Sequence, residues 1–249
     1  MKLSYTAVWD DTVALLRTHA PLVGALAGVF LFLPALFANY FFPQPQVTDP
    51  GRYLDVMRNY VGGAWPWLLL ARLVQLVGTI AILRLVFGPR GTSVAGAIVT
   101  GAMLFPFYFA AFFLANILIF AGFVLLIVPG VYLMGRLAPL APVVVAENRR
   151  NPVRAIGRSF ALTAHRGWAL VGLILLVAIA AGVSIAVVHA LFGILFTLAA
   201  GKTLGLLLVQ IVDAAAGSAV STLFILLYAA IYRQLAGDAS TAGLGEVFE

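Results

Sequence analysis

Apolar residues occupy the chain in long runs separated by short polar breaks. Residues 21–42 are almost wholly apolar from Pro21 to Phe42 and end at a Pro-Gln-Pro-Gln turn. A second run, 65–87, opens on Trp65 and Trp67, as an interfacial aromatic anchor would, and stops at Gly88-Pro89. A third, 103–128, meets Pro129-Gly130, which cannot continue an ideal helix, and a fourth follows over 131–146. The gap between those two is so short that they form a helical hairpin turning near Ile-Val-Pro-Gly, with its turn outside. Residues 168–190 and 204–232 make the fifth and sixth runs. Between them His189-Ala-Leu-Phe-Gly is apolar but broken by glycine, and reads as a short in-plane segment. Runs of this length match the roughly 20 residues that cross about 30 Å of hydrocarbon. The pattern predicts an all-α polytopic membrane protein with six transmembrane helices, forming one integral membrane domain over residues 1–249.

Three more polar stretches have helical periodicity. Over 4–19, Tyr5, Trp9, Val13, Leu16 and Ala20 fall on one face, with Asp10, Asp11 and Arg17 elsewhere on the wheel. Over 151–164, Asn151 is placed to cap and Pro152 to open a helix whose stripe is Val153, Ile156 and Phe160. A weaker stretch runs from Ser93 to Ala102. Each precedes an odd-numbered span, so the chain parses as three units of interfacial helix followed by transmembrane hairpin. RTHAPLVG at 17–24 echoes HRGWALVG at 165–172, a thin sign of internal repetition.

Composition supports this reading and narrows it. Of 249 residues, 63% are hydrophobic and 10% charged, with a mean hydropathy of +1.07, which excludes an ordinary soluble domain. Six spans consume about 120–150 residues, leaving too little chain for a separate enzyme domain. The net charge of +6 matters here through its placement. Lys2, Arg17, Arg84, Arg90, Arg149, Arg150, Arg154, Arg158, Arg166 and Arg233 fall on one side of the expected spans, and Arg52, Arg58 and Lys202 on the other. The positive-inside rule then puts both termini in the cytoplasm of a bacterial inner membrane. Asp10, Asp11 and Arg17 interrupt any signal-peptide core. The high pI is therefore no argument for nucleic acid, and membrane lipids are the expected partners. The absence of cysteine removes disulfides and thiolate metal sites.

Residues 127–170 carry a recurring arrangement. A Pro-Gly-Tyr-type turn (Pro129, Gly130, Tyr132) is followed by an Arg in the next helix (Arg136) and a Pro-hydrophobic-Glu exit (Pro142, Glu147). An Ala-x-x-x-Ser helix (Ala155, Ser159) and a Thr (Thr163) then precede the next span. This resembles the signature of a bacterial membrane-domain family. It includes the membrane region fused to some glycerophosphodiester phosphodiesterases, and stand-alone YciC-like inner-membrane proteins. The closing stretch 226–237 resembles that family's end. The resemblance implies a six-helix integral membrane fold and little about activity. The catalysis of the fused enzymes resides in a soluble barrel of about 250 residues, which has no counterpart here.

Few polar groups fall inside the predicted spans: Arg72, Gln75, Asn116, Arg136, His189, Gln210 and Asp213. Arg72, Arg136 and Asp213 each lie five to nine residues from the outer end of a span, about 8–14 Å deep, so they are placed to meet in one layer. Two readings stand. One is a pocket open to the outer leaflet, in which Arg72 and Arg136 bind an anionic head group, Asp213 sets their field, and Gln75, Gln210 and Asn116 line it. The other is a structural Arg–Asp pair with amide neighbours that fixes helix packing. The basic loop 147–166, with Arg149, Arg150, Arg154, Arg158 and Arg166, suits an anionic lipid surface. The three His are scattered with no acid at ligand spacing, so neither a metal nor a cofactor is expected.

The leading expectation is a non-enzymatic protein that binds a lipid or other amphipathic anion, in transport, sensing or envelope homeostasis. A structural or assembly role, with a protein partner or a second copy, rests on the basic helix and on small-residue faces at Gly24/Gly28 and Ala214–Ser218. A membrane-embedded lipid-modifying enzyme would need Asp213 or Glu147 in contact with His165 or His189.

Overall fold

The computed structural model describes residues 4–43, 45, 47, 49–89 and 92–245; Lys2 and Arg90, two of the charges used for orientation, lie outside them. The described chain is helical throughout its ordered elements. Six helices are long and apolar enough to cross a membrane. They are α1 (Tyr5–Phe41), α2 (Pro50–Phe87), α3 (Val94–Leu125), a broken helix over Ile127–Ala146, α7 (Gly167–Ala199) and α8 (Thr203–Gly237). The broken one consists of α4 (Ile127–Leu137) and α5 (Leu140–Ala146), and α6 (Pro152–Leu162) lies between α5 and α7.

Boundaries differ from the sequence expectation where a buried stripe runs on. No interfacial helix 4–19 separates from the first span. Val8, Thr12, Leu15, Val23, Leu26, Ala27 and Leu31 form one continuous buried face, so α1 has no reason to break near residue 20. The same holds for 93–102, which is the start of α3. There Ser93 caps the helix by accepting a hydrogen bond from the Gly96 amide, and Ala97, Gly101, Leu104, Tyr108, Ala111 and Ala115 repeat at three- and four-residue spacing. Within α1, Gly28–Phe32 widens into a π-helical turn just before Pro34, whose ring and missing N–H disfavour the tighter α register.

Both hairpin turns fall elsewhere than expected. The α3–α4 turn is made by Leu126 in an extended conformation, three residues before Pro129. Pro129 sits in the first turn of α4, where its missing N–H breaks no helical bond. Gly122 lets the arms close: a Cβ there would stand 3.0 Å from the Gly130 backbone. The expected in-plane segment after residue 190 is the continuation of α7 to Ala199, and the chain leaves the helix at Gly201, whose φ of +71° suits glycine. Gly205 then brings α8 onto α7, since a Cβ would stand 2.7 Å from the Phe196 carbonyl oxygen.

The tightly packed core lies at the end of the bundle where the basic loop sits. Ile80–Leu83, Val143–Val145, Leu226–Leu227 and Ala229–Ile231 are all at or near zero exposure there. Asp11 pairs with Arg233 at 3.1 Å, and the Phe87 and Tyr232 rings meet edge to face. Helix α6 turns Ala155, Ile156, Ser159 and Leu162 into this core, while Val153 of its expected stripe is exposed. The α7–α8 hairpin beyond about residue 183 is apolar and largely uncovered by protein, as a lipid-facing element would be.

Candidate functional site

A cavity of about 430 Å³ opens among α1, α2, α3, α4–α5, α7 and α8. Three of the expected site residues line it: Arg72 and Gln75 from α2, and Asn116 from α3. Arg72 Nη1 donates to Gln75 Oε1 at 3.3 Å, and its guanidinium carbon lies 5.1 Å from the centre of the Phe112 ring. One lining amide and one hydroxyl are spent on their own helices: Asn116 Nδ2 donates to the Phe112 carbonyl and Thr79 Oγ1 to the Gln75 carbonyl. Tyr108, 6% exposed, Ser221 and Tyr228 also face the cavity. Among the described residues their hydroxyls make no hydrogen bond, and neither do Arg72 Nε and Nη2. The described lining contains one cation and no acid.

Arg136 and Asp213 do not line this cavity, and each is paired elsewhere. Arg136 sits at the end of α4 and docks it onto α6. Its Nε donates to Thr163 Oγ1 at 2.8 Å, Nη2 to the Phe160 carbonyl at 2.6 Å, and Nη1 to Tyr132 Oη at 3.1 Å. In return Ser159 Oγ donates to the Arg136 carbonyl at 2.9 Å. Each guanidinium nitrogen is therefore bonded, and the cation lies over the Tyr132 and Phe160 rings. Close approach of the helices makes this geometry available, because a Cβ on Gly167 would stand 2.4 Å from the Tyr132 ring.

Asp213 pairs with His189 across the α7–α8 hairpin, His189 Nδ1 standing 2.9 and 3.0 Å from the two carboxylate oxygens. Gln210 lies one turn before Asp213 on α8, and neither lines the cavity. The contact meets the geometric requirement set above for an acid–base pair.

The basic loop is also more committed than its composition implied. Glu147 accepts from Arg149 Nε at 2.7 Å, Arg158 Nε at 2.9 Å and Tyr232 Oη at 3.2 Å, tying the end of α5 to α6 and α8. Burial alone would push the Glu147 carboxyl up, but the hydrogen bonds and charges of Arg158 and Arg149 outweigh it and hold it below its ordinary value. Arg150 and Arg154 are exposed, and Arg166 is half-buried. Among the described residues nothing lies within 4 Å of a Cβ added at Gly24 or Gly28, so neither glycine makes a close helix contact there.

Sequence reasoning missed Thr79, Tyr108, Ser221 and Tyr228. A signal existed for the first: Arg72, Gln75 and Thr79 follow i, i+3, i+7 spacing, a polar stripe on an apolar helix. Tyr108 and Tyr228 are indistinguishable in sequence from ordinary core aromatics. No family model, curated protein or solved structure matches the chain.

Proposed function

We propose that this chain is a bacterial inner-membrane protein, both termini cytoplasmic, that binds a lipid or other amphipathic anion non-enzymatically in the cavity around Arg72. The reading is carried by the under-used bonding capacity of Arg72. An arginine in a membrane helix costs about 2.5–3.5 kcal/mol unless it is partnered. Here its described partners are one long hydrogen bond to a neutral amide and an aromatic face, with no acid in the lining. An anionic head group supplies the missing counter-charge and accepts the free Nε and Nη2 donors in bidentate geometry. Tyr108, Ser221 and Tyr228 offer hydroxyls to the same group, and the surrounding leucines and phenylalanines suit acyl chains. The ten-to-three distribution of Lys and Arg supports the orientation. Roles in lipid transport, sensing or envelope homeostasis follow from such binding, and the family resemblance is compatible with them.

The test is native mass spectrometry of the chain purified in mild detergent. An anionic lipid should remain bound to the wild type and be lost from Arg72→Met. Equal retention by the two, or no retained lipid in the wild type, rejects the reading.

The His189–Asp213 contact favours a second reading, a lipid-modifying enzyme in which Asp213 orients His189 as general base. Incubation with labelled phospholipid would support it only if turnover appears and disappears in His189→Gln.

A further inference from the structure

We infer that α3 and α4 form a re-entrant hairpin. It enters the bilayer from the basic end, turns at Leu126 inside the hydrocarbon and returns to the same side, its tip packing on lipid acyl chains. The inference goes beyond binding at Arg72 and rests only on insertion with the basic end at one interface.

The first argument is length. The far end of α4 is anchored where α7 begins: a Cβ on Gly135 would stand 3.2 Å from the Gly167 carbonyl oxygen, and the Tyr132 ring lies 5.3 Å from that of Trp168. Gly167 follows Arg158, His165 and Arg166 and precedes an exposed Trp168, the order expected at a membrane interface. From Gly135 back to Ile127 is eight residues, about 12 Å of helix, less than half of a roughly 30 Å hydrocarbon core. With Gly167 at the interface and Gly135 packed against it, the turn stops short of the opposite face.

The tip fits that depth chemically. No polar side chain occurs between Asn116 and Tyr132, and Val124 to Val128 are 59–76% exposed. Every other loop between the six apolar helices carries a charge: Asp49, Arg90, Glu147 or Lys202. The backbone of the turn is also partly self-sufficient. The Leu126 amide donates to the Gly122 carbonyl at 3.0 Å and the Gly130 amide to the Leu126 carbonyl at 3.4 Å, while Pro129 has no amide hydrogen to leave unpaired. Four crossings (α1, α2, α7, α8) and one hairpin preserve the even count that keeps both termini on one side. Helix α3, with 32 residues, must then run obliquely.

The chain has no cysteine, so single-cysteine variants of the full-length protein report cleanly. Leu126→Cys and Val128→Cys, spin-labelled in detergent and reconstituted into phosphatidylethanolamine/phosphatidylglycerol vesicles, should be relaxed by oxygen and shielded from a water-soluble nickel chelate. Arg52→Cys and Arg150→Cys serve as aqueous controls and, probed with an impermeant maleimide, should label from opposite faces. Chelate access to the tip comparable with either control overturns the inference. So does shielding from both oxygen and chelate, which would mean that protein and not lipid covers the tip. If the two controls label from one face, the orientation fails independently of the hairpin.

Discussion

Arg136 and Arg72 are both arginines within apolar helices, yet they are held in opposite ways. Arg136 bonds through all three nitrogens to Thr163, Phe160 and Tyr132, with two rings against its faces. Arg72 has one 3.3 Å bond to Gln75 and one ring, and it borders a cavity. The difference teaches that the fold itself can meet the cost of placing a guanidinium in an apolar helix, as at Arg136; at Arg72 it does not, and the ligand proposed above would. The residues of the family-like pattern fall on the structural side. Tyr132, Arg136, Ser159 and Thr163 form one hydrogen-bonded dock, and Glu147 ties the adjoining turn to α6 and α8.

The comparison breaks most visibly at the dock. Arg136→Ala removes three hydrogen bonds from a charged donor and should cost about 3 kcal/mol, seen as a lower thermal midpoint in detergent and faster proteolysis after Arg154. Arg136→Lys should recover little of it, because an ammonium cannot reproduce the planar fork. Gly135→Ala should cost about 2 kcal/mol, since its Cβ would stand 2.5 Å from Val171 Cγ2 and force α4 away from α7. An Arg136 variant as stable as the wild type would mean that the dock does not hold α4 on α6, and an equally stable Gly135→Ala that α4 does not pack closely on α7.

How much of this was legible in the sequence differs by level. The six apolar helices could be read from the length of their uninterrupted apolar runs. Their ends could not, because Ala97, Gly101 and Leu104 continue a stripe whose partner helix is set only by tertiary packing. Within the site, Arg72, Gln75 and Asn116 were identified by being polar where lipid is expected. What could not be read is that Arg136 is spent on Thr163, Phe160 and Tyr132, and Asp213 on His189, partners that only the packing of α4 on α6 and of α7 on α8 brings near.

Glu147 offers a smaller test at the packed end. Its folded-state carboxyl titrates below its ordinary value, so the unfolded chain binds the proton more readily. The stability it contributes is therefore present above pH 4.5 and is lost as pH falls through the lower folded value. Glu147→Gln should cost about 1 kcal/mol at neutral pH, discounted for partial exposure of its partners, and should flatten the acid limb of a stability profile. An unchanged acid limb would show that the arginine contacts contribute nothing.

The smallest expected change in stability is the most informative. Arg72→Met keeps the aliphatic length, removes the charge and gives up only one long hydrogen bond, so in lipid-free detergent the thermal midpoint should move by no more than the equivalent of about 0.5 kcal/mol. The lost bond lowers it, and removal of an uncompensated cation from an apolar setting offsets that loss. Adding anionic phospholipid should then raise the midpoint of the wild type and leave that of Arg72→Met unmoved, since only a ligand that binds the folded state stabilises it by mass action. An Arg136 variant, by contrast, should start lower and still respond to the lipid. If Arg72→Met instead loses as much stability as Arg136→Ala, both arginines are structural and the contrast between the two regions disappears.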